Sequence, residues 1–328
     1  MPTATLPSVT LPGVAVPLSR VGLGTMSFGD TVGAAEAETL FETAVEAGIT
    51  VVDTANGYAG GESERLLGPW VRRRRDQLVL ATKAGIPHPD AEGAAPLSAS
   101  ALRRCLEGSL RRLGVDSVDL FYLHQPDRST PLAETLGAVA ELHAEGRLGA
   151  LGVSNYAAWQ VQDVLAAARA AGAPAPVAGQ NVYNLLARRI EDEWLEFAAV
   201  HGVHTMVYNP LAGGLLGRRP GAGEQPSRFG RSRLAAMYSD RYLRDDLVAA
   251  ATGVADLAEE SGTPMAELAL RWLLGRDGVD SVLLGGSRVS HLRANLDALA
   301  RGPLPADLAD RLEQLSAPLK GAMPPYHR

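Results

Sequence analysis

The chain has 328 residues, of which 46% are apolar and 21% charged; that balance excludes a disordered, collagen-like or coiled-coil chain and leaves ample material for a core. Acidic residues outnumber basic ones 37 to 31, a net charge of −6, so nucleic acid is a poor candidate for the main partner. The single cysteine, Cys105, cannot close an internal disulfide and suits a reducing, cytoplasmic setting.

At the N-terminus, MPTATLPSVT lacks the basic start and apolar block of a secretion signal, and no later run reaches the roughly 18–20 apolar residues of a membrane span. VTLPGVAV (9–16) reads as apolar, Pro-Gly, apolar: a β-hairpin placed to plug the bottom of a barrel. From there short β-branched or aliphatic runs alternate with longer amphipathic stretches. The predicted strands are 21–25, 49–54, 78–83, 118–124, 150–155, 177–184, 204–211 and 281–286, with helices between them, among them 34–48, 98–114 and 131–146. The second of these closes with Arg111, Arg112 and Gly114, a basic last turn and a glycine stop. Near-continuous apolar strands separated by helices predict a parallel sheet covered on both faces. Eight such units point to a single α/β domain over 1–328, a (β/α)8 TIM barrel. The rival, a doubly wound open sheet, requires a dinucleotide fingerprint that VGLGTMSFG (21–29) does not match. A Gly/Pro/Arg-rich connection over 212–241 is long enough to form a lid, and an extra helix begins in GPLPADLADRLEQL before the chain ends in PPYHR.

In such a barrel the reactive groups lie at the C-terminal ends of the strands. Asp53, Lys83 and His124 close the second, third and fourth predicted strands, and Tyr58 follows Asp53 in the glycine-rich NGYAGGES. A partly buried Lys83 needs a counter-ion, and Asp53 supplies one. A phenol beside that ammonium is expected to ionise more easily, which makes Tyr58 a general acid for a carbonyl oxygen, with His124 orienting the carbonyl or sharing the proton. A carbonyl protonated on oxygen needs a hydride on carbon, which calls for a nicotinamide. Each of these residues alone is more often structural; their joint placement on neighbouring strand ends shifts the balance.

GLGTMSFG, DTANGYAGGESERLLG, LVLATKAG, VDLFYLHQPD, LGVSNY, QNVYNLLAR and YNPLAGGLLGR, in this order, resemble the aldo-keto reductases over nearly the whole chain. FYLHQPD, the SRFG…YSDRY stretch and the PPYHR end are similar to the aflatoxin-aldehyde and succinic-semialdehyde reductase branch. The resemblance implies NADPH/NADP+ without metal, and a tetrad of Asp53, Tyr58, Lys83 and His124 in which the tyrosine donates the proton. It also implies Ser154, Asn155 and Gln180 on the nicotinamide carboxamide, Tyr208 stacked on its ring, and Gly24, Thr25, Met26, Asn209, Leu211, Gly213, Leu215 and Arg218 along the cofactor. Gly286, Ser287 and Arg288 would hold the 2′-phosphate and Asn295 the adenine, although His291 departs from the acidic or amide residue usual there.

Independently, 212–241 carries six arginines against Glu224 and Asp240, a local charge of +4, and loops after strands seven and eight are the usual phosphate sites of this fold; solvation is the bland alternative for most of them. For the substrate, Arg241 and Arg328 match positions that face a carboxylate in that branch, with Phe229, Met26, Phe28 and Trp159 as pocket walls. RRRR (72–75) is read as a helix end, and the histidines show no metal-ligand spacing. The resulting expectation is an NADPH-dependent reductase of aldehydes and some ketones, an alcohol dehydrogenase-type oxidoreductase, with a small-molecule substrate, no membrane partner and a homo-oligomer left open. The alternatives are a biosynthetic keto-sugar or polyketide ketone reductase and an NADPH-sensing regulatory subunit.

Overall fold

The computed structural model describes residues 6–223 and 225–321. Two short strands, β1 (Ser8–Val9) and β2 (Leu18–Ser19), pair antiparallel. Eight parallel strands then close a barrel in chain order: β3 (Val21–Gly24), β4 (Val51–Asp53), β5 (Val79–Ala84), β6 (Val118–Leu123), β7 (Leu148–Ser154), β8 (Pro176–Val182), β9 (His204–Tyr208) and β10 (Ser281–Leu284), with β10 pairing back to β3. Around them run α1 (Ala34–Glu46), α2 (Glu62–Arg74), α3 (Ala99–Leu113), α4 (Leu132–Ala144), α5 (Ala158–Ala171) and α6 (Trp194–His201). The connection after β9 holds α7 (Ser227–Gly230), α8 (Ala235–Tyr242), α9 (Asp245–Ser261) and α10 (Met265–Leu274); α11 (Val289–Ala300) and α12 (Ala306–Ser316) follow β10. The predicted (β/α)8 barrel is the observed one.

The N-terminal hairpin is present, but its pairing, Ser8 with Ser19 and Val9 with Leu18, meets the expected 9–16 only at Val9. That stretch is mostly turn: Val14 N–H donates to Leu11 O at 3.2 Å, with Pro12 and a left-handed Gly13 (φ 76°) at the centre, a type II geometry. A Cβ on Gly13 would meet Gly149 O at 2.5 Å, so both conformation and clearance demand glycine. Leu11, Val14 and Leu18 pack beneath Val51 and Val79 inside the barrel, which makes the hairpin the plug that the sequence suggested.

Strand alternation sets what the interior contains, because residues i and i+2 share a face. Val51, Val79, Ala81, Leu120, Ala150, Ala178 and Met206 form the inner apolar cluster. Continuing the same parity towards the strand ends reaches Asp53, Lys83, Tyr122, Ser154, Gln180 and Tyr208. The apolar layers therefore hold up a polar top layer. The outward parity packs the helices, as with Phe121, Leu123, Leu151 and Val153 in the outer core.

Helix α3 shows how local signals fix these elements. Ser98 Oγ accepts from Ala101 N–H at 3.4 Å, and a left-handed Gly114 (φ 66°) closes the far end by donating to Leu110 O. The RRRR run does more than end α2. Arg73 and Arg74 pair with Glu38 and Glu42 of α1, and Arg75 forks onto Asp119. At the other end α12 docks through Arg188, which bonds to Glu191, Glu313 and Ser316. The PPYHR tail, with Arg328, lies outside the described residues.

Candidate active site

The four residues expected to react do meet at the mouth of the barrel. Asp53, at the end of β4, is 1% exposed, and Lys83, one residue before the end of β5, is 0% exposed; the lysine is fully buried, deeper than the sequence suggested. Its Nζ ion-pairs with Asp53 Oδ1, donates to Thr54 O at 2.9 Å and donates to the Tyr58 hydroxyl at 3.1 Å. His124 sits one residue beyond β6 rather than on it, tied down by its N–H to Ala84 O at 2.8 Å. The rings of His124 and Tyr58 meet edge to face with centroids 6.0 Å apart.

Tyr58 rides on a tight 3-10 turn, Tyr58–Gly61. Ala59, Gly60 and Gly61 have φ of 50°, 66° and 89°, three left-handed residues in succession. Two glycines make that run feasible; Ala59 adopts it at some cost.

Burial works against both members of the central ion pair. It pushes the Lys83 ammonium below its usual value, partly offset by Asp53, and the Asp53 carboxyl above its own, partly offset by Lys83 and by Gln180. The expected acidification of Tyr58 is overturned. Burial, reinforced by the negative charge of Asp53, drives its phenol well above the ordinary tyrosine value, with Arg228 pulling weakly the other way. Lys83 is already neutralised by Asp53, so it cannot dominate the phenol. Burial and the Lys83 charge depress His124 to about 3, and its Nδ1 is enclosed without a partner among the described residues. Histidine is therefore neutral at ordinary pH, leaving Nε2 as the nitrogen available to a ligand.

Around this centre, Ser154 Oγ donates to Gln180 O at 3.0 Å. Asn155, held at φ 62°, bridges three strands: its Nδ2 donates to His124 O at 3.0 Å and its Oδ1 accepts from the Tyr208 hydroxyl at 2.7 Å. Gln180 turns inward, its Nε2 donating to Asp53 Oδ2 at 2.9 Å, so its amide is engaged with the buried Asp53–Lys83 pair. Gly24 and Met26 form the half-buried rim above β3, while the Thr25 hydroxyl is spent on Asp53 O. Asn209, at φ 63°, holds the start of the long connection by accepting from Gly213 N–H and donating to the Tyr242 hydroxyl. Leu211 is half-buried, Leu215 buried and Arg218 exposed.

The arginines of 212–241 divide into separate groups. Arg219 pairs at the surface with Asp256 and Glu259, as the bland reading held, whereas an exposed Arg233 lies by the largely enclosed side chain of Asp30. Arg228 lies over the Tyr238 ring at 5.5 Å with a buried Nη1 unpartnered among the described residues. Arg241 lies close enough to Tyr208 to pull its phenol down, against the larger upward push of burial. A cleft of about 530 Å³ opens beside the start of α11, lined by Gly33, Glu36, Arg231, Ser287, Arg288 and Ser290. Gly286 and Asn295 are buried next to it, and His291 Nδ1 lies 3.5 Å from the Ser287 hydroxyl.

Three expected pocket walls fall elsewhere. Phe229 is 6% exposed, edge-on to Tyr238, and so packs beneath the connection. Phe28 is core, edge-on to Trp70, and Trp159 is 58% exposed beside Phe197 and Val200 on the outer wall. Sequence reasoning missed Tyr122, whose ring lies 5.8 Å from Lys83 Nζ, although strand parity would have found it. It also missed Glu36, whose Oε1 accepts from Val289 N–H at 2.9 Å; no local signal marks that contact. Among the described residues no group of three or more His, Cys, Asp or Glu is disposed to hold a metal, and no helix is long and apolar enough to cross a membrane.

Comparison with known proteins gives a family model, the Aldo/keto reductase family, matching residues 20–317. The chain is 36% identical to human aldo-keto reductase family 7 member A3, covering 93% of this chain and 96% of that one. It is 35% identical to mouse aflatoxin B1 aldehyde reductase member 2, over 93% and 87% of the two chains. A probable voltage-gated potassium channel subunit beta of Arabidopsis thaliana is 31% identical, over 88% and 90%.

Proposed function

The chain belongs to the aldo/keto reductase family, and from that premise we propose that it is an NADPH-dependent reductase of aldehydes and some ketones, with Tyr58 as the proton donor. The observation that carries this reading is the position of Lys83 Nζ, which touches the Asp53 carboxylate and the Tyr58 hydroxyl at once.

A nicotinamide bound at the mouth supplies a hydride to the carbonyl carbon. The chain's own residues supply the rest. A buried phenol that resists ionisation retains its proton and can release it to a carbonyl oxygen on which charge is developing. The phenolate left behind keeps the hydrogen bond from Lys83 Nζ, so the proton moves from Tyr58 to the product oxygen with a donor to the phenolate already in place. Neutral His124 donates through Nε2 and orients the carbonyl. Regeneration of the phenol draws one proton from solvent.

The residues also fit the cofactor. Tyr208 and Asn155 offer a face and an amide at the mouth, and the cleft at α11 gathers Arg288, Arg231 and two serines where a phosphate could be held bidentately. Glu36 in the same cleft is an opposing charge, and it tempers the preference for a phosphorylated ribose. Arg241 at Tyr208, with Arg228 over Tyr238 and its Nη1 without a partner among the described residues, favours small carbonyl compounds that carry a carboxylate. The name aflatoxin B1 aldehyde reductase, borne by relatives at 35% identity, supports the aldehyde class.

NADPH consumption across a panel including succinic semialdehyde, 2-carboxybenzaldehyde and uncharged aldehydes and ketones tests the reading. Turnover is expected with aldehydes, highest for the carboxylated ones; consumption with none of them would overturn it.

A further inference from the structure

One buried ion pair near the mouth has no part in the chemistry above. Glu64, in the first turn of α2, is 0% exposed. Its Oε2 accepts from Arg112 Nε at 2.7 Å, and its Oε1 accepts from the Thr82 hydroxyl at 2.6 Å. Arg112, in the last turn of α3, also donates from Nη1 to Asp90 Oδ2 at 2.7 Å. Two charges withdrawn from water are costly, and apolar side chains of similar volume would pack α2 on α3 as well. The location of the pair is therefore informative.

Glu64 lies in the first turn of the helix that continues directly from the Tyr58 turn, and Thr82 is the neighbour of Lys83 on β5. The carboxylate thus joins the element carrying the phenol to the strand carrying the ammonium. Arg112 packs on Gly61, the last residue of the Tyr58 turn, where a Cβ would lie 2.9 Å from the arginine Cδ and Nε. Next along, Ser63 Oγ donates to Thr25 O at 3.0 Å and lies 3.1 Å from Thr54 Oγ1. The turn is fastened to β3, β5 and the end of β4 by this one segment.

We propose that Glu64, held by Arg112, is a positioning residue that fixes the Tyr58 hydroxyl against Lys83 and adds a second negative charge to the surroundings of the ammonium. The groups facing Lys83 are Asp53 from β4, Tyr58 from its turn, Tyr122 from β6, His124 just beyond it, Tyr208 from β9 and Glu64 from α2. Of these only Asp53 and Glu64 are anionic, and Glu64 acts on the same side of the balance as Asp53. The inference rests on the roles proposed for Tyr58 and Lys83. If Tyr58→Phe retained turnover, that reading would fall first; the variants below separate the two.

The experiment compares full-length Glu64→Gln, Glu64→Gln/Arg112→Gln and Thr82→Val with the parent chain, measuring kcat against pH, KM for NADPH and thermal unfolding. Glu64→Gln is expected to lower kcat by about 10–100-fold with KM for NADPH changed less than about twofold. The alkaline limb of its kcat profile should move to lower pH, because Lys83 loses an anion and Arg112 keeps only Asp90 as its counter-ion. The double variant removes both charges and should return that limb towards its original position. Thr82→Val keeps the ion pair and the fold, and should lower kcat by at least about threefold without moving the limb. A wild-type kcat in Thr82→Val overturns the proposal. So does a Glu64→Gln enzyme that loses activity only in proportion to its unfolded fraction, with an unmoved pH profile.

Discussion

Lys83 donates to the Tyr58 hydroxyl at 3.1 Å while its charge is already matched by Asp53. The phenol therefore neighbours an ammonium without sitting in a strong positive field, and burial decides its ionisation. A tyrosine in this state keeps its proton and serves as an acid; acting as a base requires alkaline solution.

That distinction gives a directional pH dependence. The raised value of Tyr58 means that the protonated form used in reduction persists through neutrality, so kcat for aldehyde reduction should stay flat there and fall only on the alkaline side. Alcohol oxidation needs the phenolate and should rise with pH over the same range. His124, depressed to about 3, should contribute no limb near the ordinary histidine value of about 6.5. Steady-state profiles in both directions check this. An acid limb in reduction that disappears in His124→Asn would contradict it.

The cleft at α11 sets up a second comparison. Arg288→Ala should raise KM for NADPH by about tenfold or more while changing KM for NADH little, since only the former carries a 2′-phosphate. Glu36→Gln should act in the opposite direction, lowering KM for NADPH, because it removes a negative charge from the same cleft. Equal effects of Arg288→Ala on both cofactors would exclude a phosphate site there.

Substrate charge provides a third. Arg241→Met removes a guanidinium whose charge acts on Tyr208 at the mouth. It should raise KM for 2-carboxybenzaldehyde by about 10–100-fold, the size of a lost hydrogen bond between charged groups. KM for benzaldehyde should change by less than about twofold. A uniform effect on the two aldehydes would make Arg241 a support for Tyr208 and nothing more.

The barrel was legible because most strands carry a near-continuous apolar run and amphipathic stretches lie between them. Asp53, Lys83 and His124 stood out because they are polar residues at or next to the ends of those runs. What escaped depends on geometry that no local pattern encodes. The hairpin pairs through two residues on each side, too few for alternation to mark. The sign of the Tyr58 shift turns first on how deeply the phenol is buried and then on the Asp53 charge beside it. Gln180 faces Asp53 across 127 positions of sequence, and Arg112 reaches Glu64 across 48. Phe229, expected as a pocket wall, has its ring edge-on to Tyr238 and close to Gly213.

The most direct measurement is made on Tyr58→Phe, in which the ring stays and the transferable proton goes. NADPH affinity from a fluorescence titration should remain within about twofold of the parent chain, while kcat for aldehyde reduction should fall by about a thousandfold or more. Turnover close to that of the parent chain, with the cofactor bound equally well, would show that the proton comes from elsewhere.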